Sequence, residues 1–140
     1  MTTYRPENYP EGFEVNDLHD DDTGELIHRV VTFNGVRHAP PDGGPSYGSY
    51  RSDGAPLHLE WDHHGKAHRE DGPQMVKYCP ETGNVTLEVF QENSDWIPPE
   101  KGPCLIEYDP QTGAVIAEKT RDNVDEWYDA RRIDFDTWQP

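Results

Sequence analysis

Met75-Val76-Lys77-Tyr78-Cys79-Pro80-Glu81-Thr82-Gly83-Asn84-Val85-Thr86-Leu87-Glu88-Val89-Phe90 reads as two strands joined by a tight turn. Val85, Leu87 and Val89 alternate with polar residues, which is the period of a strand with one buried face. Pro80 presets the backbone at the first central position of a type I turn, and Gly83 accepts the left-handed geometry that closes the hairpin. The layout returns at Leu105-Ile106-Glu107-Tyr108, Pro110-Gln111-Thr112-Gly113 and Val115 to Lys119. In both copies Tyr stands two residues before Pro.

Toward the N-terminus the unit is more worn but still legible. Asp53-Gly54 leads into Leu57-His58-Leu59-Glu60-Trp61, and Asp20-Asp21-Asp22-Thr23-Gly24 leads into the β-branched run Leu26 to Phe33. The turn glycines Gly24, Gly54, Gly83 and Gly113 are 30, 29 and 30 residues apart. A fixed period of that length marks a repeat architecture. The predicted fold is therefore mostly β: an elongated antiparallel meander of about four repeated hairpins with a period of about 29–30 residues.

Between hairpins runs a longer loop, clearest as Gly65-Lys66-Ala67-His68-Arg69-Glu70-Asp71-Gly72-Pro73. Its weaker copies are Gly35-Val36-Arg37-His38 with Gly44-Pro45, and Asn93-Ser94-Asp95-Trp96 with Lys101-Gly102-Pro103. Gly-Pro persists while the charged middle varies, so the loop reads as a joint. Pro40-Pro41-Asp42-Gly43-Gly44-Pro45 is longer than its counterparts and is expected to protrude as a spacer.

One domain is expected, in three parts. Residues 1–17, polar and broken by Pro6 and Pro10, read as an irregular N-terminal cap or arm anchored by Tyr4, Tyr9 and Phe13. Residues 18–120 form the repeat sheet. Residues 121–140 form a short capping helix and a tail, with Asp122 or Asn123 as N-cap and Val124, Trp127 and Tyr128 as an apolar stripe. This helix is expected over the open edge of the last hairpin, and Ile133, Phe135 and Trp138 are expected to pack back or to bind.

Of 140 residues, 28 are acidic and 12 basic, a formal charge of −16. Such a surface repels phosphate backbones and anionic lipid and attracts basic proteins, above all those that hold nucleic acid. Direct nucleic-acid or membrane binding is not expected. No apolar run has the length of a membrane span, and the first residues lack an apolar signal core, so a cytoplasmic protein is expected. Cys79 and Cys104 match neither a disulfide scaffold nor a zinc spacing.

The residues carry no signature of catalysis. Gly43-Gly44-Pro45-Ser46-Tyr47-Gly48 loses an amide to Pro45 and does not open a helix, unlike a phosphate cradle. Asp20-Asp21-Asp22 lacks the spacing of a calcium loop. His63, His64 and His68 lie near Asp62, Glu70 and Asp71, but their loop copies lack them and no metalloprotease motif is present, so hydrogen bonding within the loop is the expectation. No nucleophile is paired with a base. No enzyme activity, no cofactor and no metal is expected.

His64-Gly65-Lys66-Ala67-His68-Arg69-Glu70-Asp71-Gly72-Pro73 resembles the N-G-K-x-H-R-x-D-G-P-A loop of MORN-repeat variant proteins, whose hairpin units stack into an elongated antiparallel sheet. Tyr78 to Val85 and Tyr108 to Val115 are similar to the Y-x-P-x-T-G-x-V strand and turn of that class. The resemblance spans roughly residues 24–120. The third loop departs from it, with Ile97-Pro98 for His-Arg, and Gln74 and Cys104 stand where Ala is usual. The resemblance implies the repeat fold and a place among phage-encoded products and antitoxin- or immunity-like binders.

The expected function is a non-enzymatic acidic protein that neutralises a basic nucleic-acid-handling partner by presenting carboxylates in place of phosphate. A phage anti-defence inhibitor of the anti-CRISPR or DNA-mimic kind fits, as does an antitoxin or immunity protein. The competing class is a scaffold or virion repeat protein. Expected contacts are Asp20, Asp21, Asp22, Glu60, Glu70, Asp71, Glu88, Asp122, Asp125 and Glu126.

Overall fold

A computed structural model describes the backbone of residues 1–137 and the side chains of residues 1–130. Ten strands form one antiparallel sheet. They comprise β1 (Thr2–Tyr4), β2 (Phe13–His19), β3 (Leu26–Phe33), β4 (Val36–Arg37), β5 (Tyr47–Tyr50), β6 (Pro56–Glu60), β9 (Met75–Tyr78), β10 (Val85–Val89), β13 (Leu105–Tyr108) and β14 (Val115–Lys119). Two short hairpins lie apart from it: β7 (Asp62–His63) with β8 (Lys66–Ala67), and β11 (Gln91–Glu92) with β12 (Asp95–Trp96). A 3-10 turn at Pro99–Lys101 and one helix, α1 (Val124–Thr137), complete the chain.

The period in the turn glycines is the period of the fold. β2–β3, β5–β6, β9–β10 and β13–β14 are the four hairpins, and each has a register shift beside its turn. In the third turn the Gly83 amide donates to the Cys79 carbonyl at 2.8 Å and the Cys79 amide to the Asn84 carbonyl at 2.8 Å. The fourth turn repeats this with Gly113 on Asp109 and Asp109 on Ala114, at 2.8 and 2.7 Å. Gly83 has φ +78°, and a Cβ there would meet nothing nearer than Arg51 Nη1 at 4.0 Å. The cost of a side chain is thus confined to the backbone. Gly83→Ala is expected to destabilise the fold by about 1 kcal/mol, read from the urea midpoint at unchanged slope.

At the other end of the strands the joint loops are themselves hairpins. Asn34-Gly35, His64-Gly65 and Asn93-Ser94 all have positive φ at both residues, as a two-residue type I′ turn requires. These hairpins also bond to one another. The Gly65 amide donates to Arg37 O at 2.8 Å and the Ser94 amide to Ala67 O at 2.7 Å. The molecule therefore has two long edges, one of glycine turns and one of stacked two-residue hairpins.

Three expectations are corrected. The first 17 residues are not irregular, because β1 and most of β2 belong to the sheet. Phe13, Val15 and Asp17 alternate inward, and Asp17 is buried because Arg29 and Tyr4 bind its carboxylate. The anchors hold nonetheless: Tyr9 packs edge-on against Phe13, whose ring lies 4.7 Å from that of Phe33. The Pro40–Pro45 loop does not protrude. Pro40 is buried, Gly43 O accepts the Trp61 indole N–H at 3.0 Å, and Asp42 accepts the Tyr9 hydroxyl at 2.9 Å.

The helix covers a face of the sheet, and among the described residues no strand pairs with the outer edge of β14. Val124 is fully buried in a cluster with Leu87, Val89, Ile97, Cys104 and Leu105, and Trp127 and Tyr128 pack against it, so the expected stripe is the buried one. Val115 and Ile116 on the edge strand β14 stay more than half exposed, at 52% and 57%. Asn123, the residue before α1, accepts the Thr120 amide through its side chain at 2.9 Å. Trp138, and the side chains of Ile133 and Phe135, lie outside the described residues.

Candidate functional site

The ten expected contact residues fall in different places. Asp20, Asp21 and Asp22 form the first glycine turn, with Asp21 and Asp22 exposed at its tip. Asp20 does structural work as well, because its carboxylate accepts the amides of Asp22 at 2.9 Å and Thr23 at 3.0 Å. Those backbone bonds hold its carboxyl below the usual range, so it stays charged. Asp109 takes the same position in the fourth turn, accepting the amides of Gln111 and Thr112. In the second turn Asp53 accepts the Ala55 amide at 3.0 Å and pairs with Arg51. In the third, Glu81 is exposed and accepts a contact from Cys79 Sγ at 3.2 Å.

Every glycine turn thus carries at least one carboxylate on the same long edge. Neighbouring turns are two strands apart in the sheet, a step of roughly 9.5 Å. Asp53, Glu81 and Asp109 were absent from the sequence-based set. Their signal was the aligned repeat itself, in which each stands between one and four residues before the turn glycine.

Glu60 and Glu88 are the two expected contacts that lie within strands, and both are engaged internally. Glu60 accepts from His58 Nε2 and Arg37 Nη1, each at 3.1 Å, and the bond from His58 does most to hold its carboxyl low. Glu88 receives the Tyr108 hydroxyl, and burial together with that bond pushes Tyr108 up to about 12. Glu70 and Asp71 lie on the opposite edge, facing His68 Nε2 at 3.4 Å and Arg69 Nε at 3.0 Å. Asp122, Asp125 and Glu126 are exposed at the start of α1, toward that same edge. Apart from Glu60 and Glu88, the expected contacts therefore line two edges of the sheet.

A second site gathers imidazoles. His63, His64 and His68 were grouped by sequence as absent from the other loop copies; the structure corrects this by adding His38, which stands at the His68 position of the preceding loop. Ring centroids lie 4.4 Å apart for His38–His63, 4.6 Å for His38–His64 and 4.5 Å for His63–His64. His63 and His68 are 5.7 Å apart. His58 stays away from this group, on β6 beside Tyr47 and Glu60. Desolvation against its neighbours, and then the charges of His38, His64 and His68, hold His63 below the usual imidazole range.

The floor of this region is polar and buried. Asp62 accepts the Ser46 hydroxyl at 2.7 Å, and desolvation pushes its carboxyl above the usual range. The Arg69 guanidinium stacks over the Trp61 ring at 3.8 Å. Cys79 and Cys104 are both buried and unpaired with each other, Cys79 at the glycine-turn end and Cys104 at the far end of the strands. Comparison of the chain with protein-family models, with curated proteins and with solved structures gave no match.

Proposed function

We propose that this chain is a non-enzymatic binding protein that neutralises a basic, nucleic-acid-handling partner. The observation that carries the reading is the row of turn carboxylates. Asp20, Asp21, Asp22, Asp53, Glu81 and Asp109 stand along one edge of a continuous sheet, on a chain of formal charge −16. Backbone hydrogen bonds fix the turns, so little ordering entropy opposes binding. Carboxylates at regular steps on a stiff edge offer a basic groove what a phosphate backbone offers it. Asp122, Asp125, Glu126, Glu70 and Asp71 extend the charge along the other edge. A phage anti-defence inhibitor of the DNA-mimic or anti-CRISPR kind is the form we favour. The resemblance to MORN-repeat variants supports an antitoxin or immunity protein as the nearest alternative.

A second reading, assembly of copies into a scaffold, is favoured by Val115 and Ile116 on the open strand β14. Affinity capture from host lysate with the full chain as bait separates the two. The inhibitor reading predicts one dominant basic protein whose retention is lost when duplex DNA or RNA competes for it. Recovery of this chain alone, with self-association in sedimentation, contradicts that reading.

A further inference from the structure

We propose that His38, His63 and His64 form a site for a divalent first-row transition ion of the zinc, cobalt and nickel group, with a fourth position open to solvent. One ring nitrogen from each lies within 4.8 Å of the other two. A tetrahedral ion bound at about 2.0–2.1 Å needs its nitrogens roughly 3.3 Å apart, so pairs of nitrogens must close by up to about 1.5 Å. His63 and His64 are exposed and have room to do so.

The protonation pattern of the cluster favours this assignment. His38 Nδ1 lies 2.8 Å from the Ala39 carbonyl oxygen, which can only accept. Nδ1 therefore carries the proton and Nε2 presents a lone pair, the arrangement that fixes a metal-ligating imidazole from behind. His68 is different. Its Nδ1 accepts the Asn93 amide at 3.0 Å and its Nε2 faces the Glu70 carboxylate at 3.4 Å, so both of its nitrogens are committed to the loop.

Comparison among the repeats makes the same distinction. His68 aligns with His38 and Ile97, positions that pack the loop against the sheet. His64 aligns with Asn34 and Asn93, the first residue of each two-residue turn. There the middle repeat has an imidazole where its neighbours have an amide, and it points toward His38 of the loop before it. Three neutral imidazoles suit borderline ions of this group, whereas magnesium and calcium require oxygen ligands. Because His38 and the His63–His64 pair come from successive repeats, the ion would tie one repeat to the next.

The test is equilibrium titration of the full chain with zinc, nickel and cobalt chloride, one at a time, in competition with a chelating dye. One ion per chain is expected, with cobalt giving the visible ligand-field spectrum of nitrogen coordination. His64→Asn, which installs the residue of the equivalent turns and so preserves the fold, is expected to weaken binding at least tenfold. His19→Gln, at the glycine-turn end of β2, is expected to leave it unchanged. Failure of the wild-type chain to bind any of the three ions below about 1 mM overturns the proposal, as does equal binding by His64→Asn.

Discussion

Leu105→Ala is expected to destabilise the protein by about 3 kcal/mol. Leu105 is wholly buried, at the centre of the cluster where β10 and β13 meet Val124 of the helix. Truncating it removes its transfer free energy and leaves a cavity that a hydrogen-bonded sheet cannot collapse to fill, and substitutions of this kind cost about 2–5 kcal/mol. The apolar core is thin for a chain that is 32% hydrophobic. A domain of ordinary stability has only about 5–15 kcal/mol in all. Denaturation followed by tryptophan fluorescence should therefore show a much lower midpoint. The signal from Trp127, which packs on the same cluster and donates to Glu107, should report it directly. Ile116→Ala, on the exposed edge strand, is the control and should change stability by less than about 0.5 kcal/mol.

Asp17→Ala is expected to cost about 2 kcal/mol at neutral pH and to weaken the dependence of stability on acid. The carboxylate is 2% exposed and accepts from Arg29 Nε at 2.7 Å, Arg29 Nη2 at 2.9 Å and the Tyr4 hydroxyl at 3.0 Å. Its removal leaves a guanidinium and a phenol without their acceptor, and the part-exposed position of Arg29 keeps the loss below that of a fully buried pair. Desolvation alone would push the Asp17 carboxyl up, but the bonds from Arg29 and Tyr4 more than reverse this and leave it below the usual range. A carboxyl depressed in the folded state contributes stability above the unfolded value of about 3.9, and loses it as pH falls through the folded value. Wild-type stability should thus decline below about pH 4. Asp62 acts in the opposite sense: desolvation raises its carboxyl, so its contribution falls as pH rises through the carboxylate range. Urea midpoints of wild type and Asp17→Ala, measured from pH 3 to pH 7, should converge at the acid end.

The architecture was legible because backbone rules set it. A glycine at positive φ closes each of the four strand turns, and alternating Val and Leu mark the inward face, so four hairpins could be read from spacing alone. The buried polar groups were not legible. Asp17 interrupts an alternating strand with a charge, and only its partners from β3 and β1 make burial tolerable. The Pro40–Pro45 loop looked like a spacer because nothing local shows that the Trp61 indole needs the Gly43 carbonyl. The histidine cluster was half legible. His63 and His64 are adjacent in sequence, but His38 aligns with His68 in the repeat. It meets the other two only because the end of one loop lies against the tip of the next. Contacts offset from the repeat period are set by stacking and leave no mark on the period.

The measurement that bears most directly on the binding account is the salt dependence of the captured complex. Its dissociation constant should rise at least tenfold between about 50 and 500 mM salt, because long-range attraction between a chain of charge −16 and a basic partner is screened over that range. The triple change Asp21→Asn, Asp22→Asn, Glu81→Gln spares the carboxylates of Asp20, Asp53 and Asp109 that fold the turns, and should weaken binding and flatten the salt dependence together. A dissociation constant that is unchanged by salt and by the triple change contradicts the account.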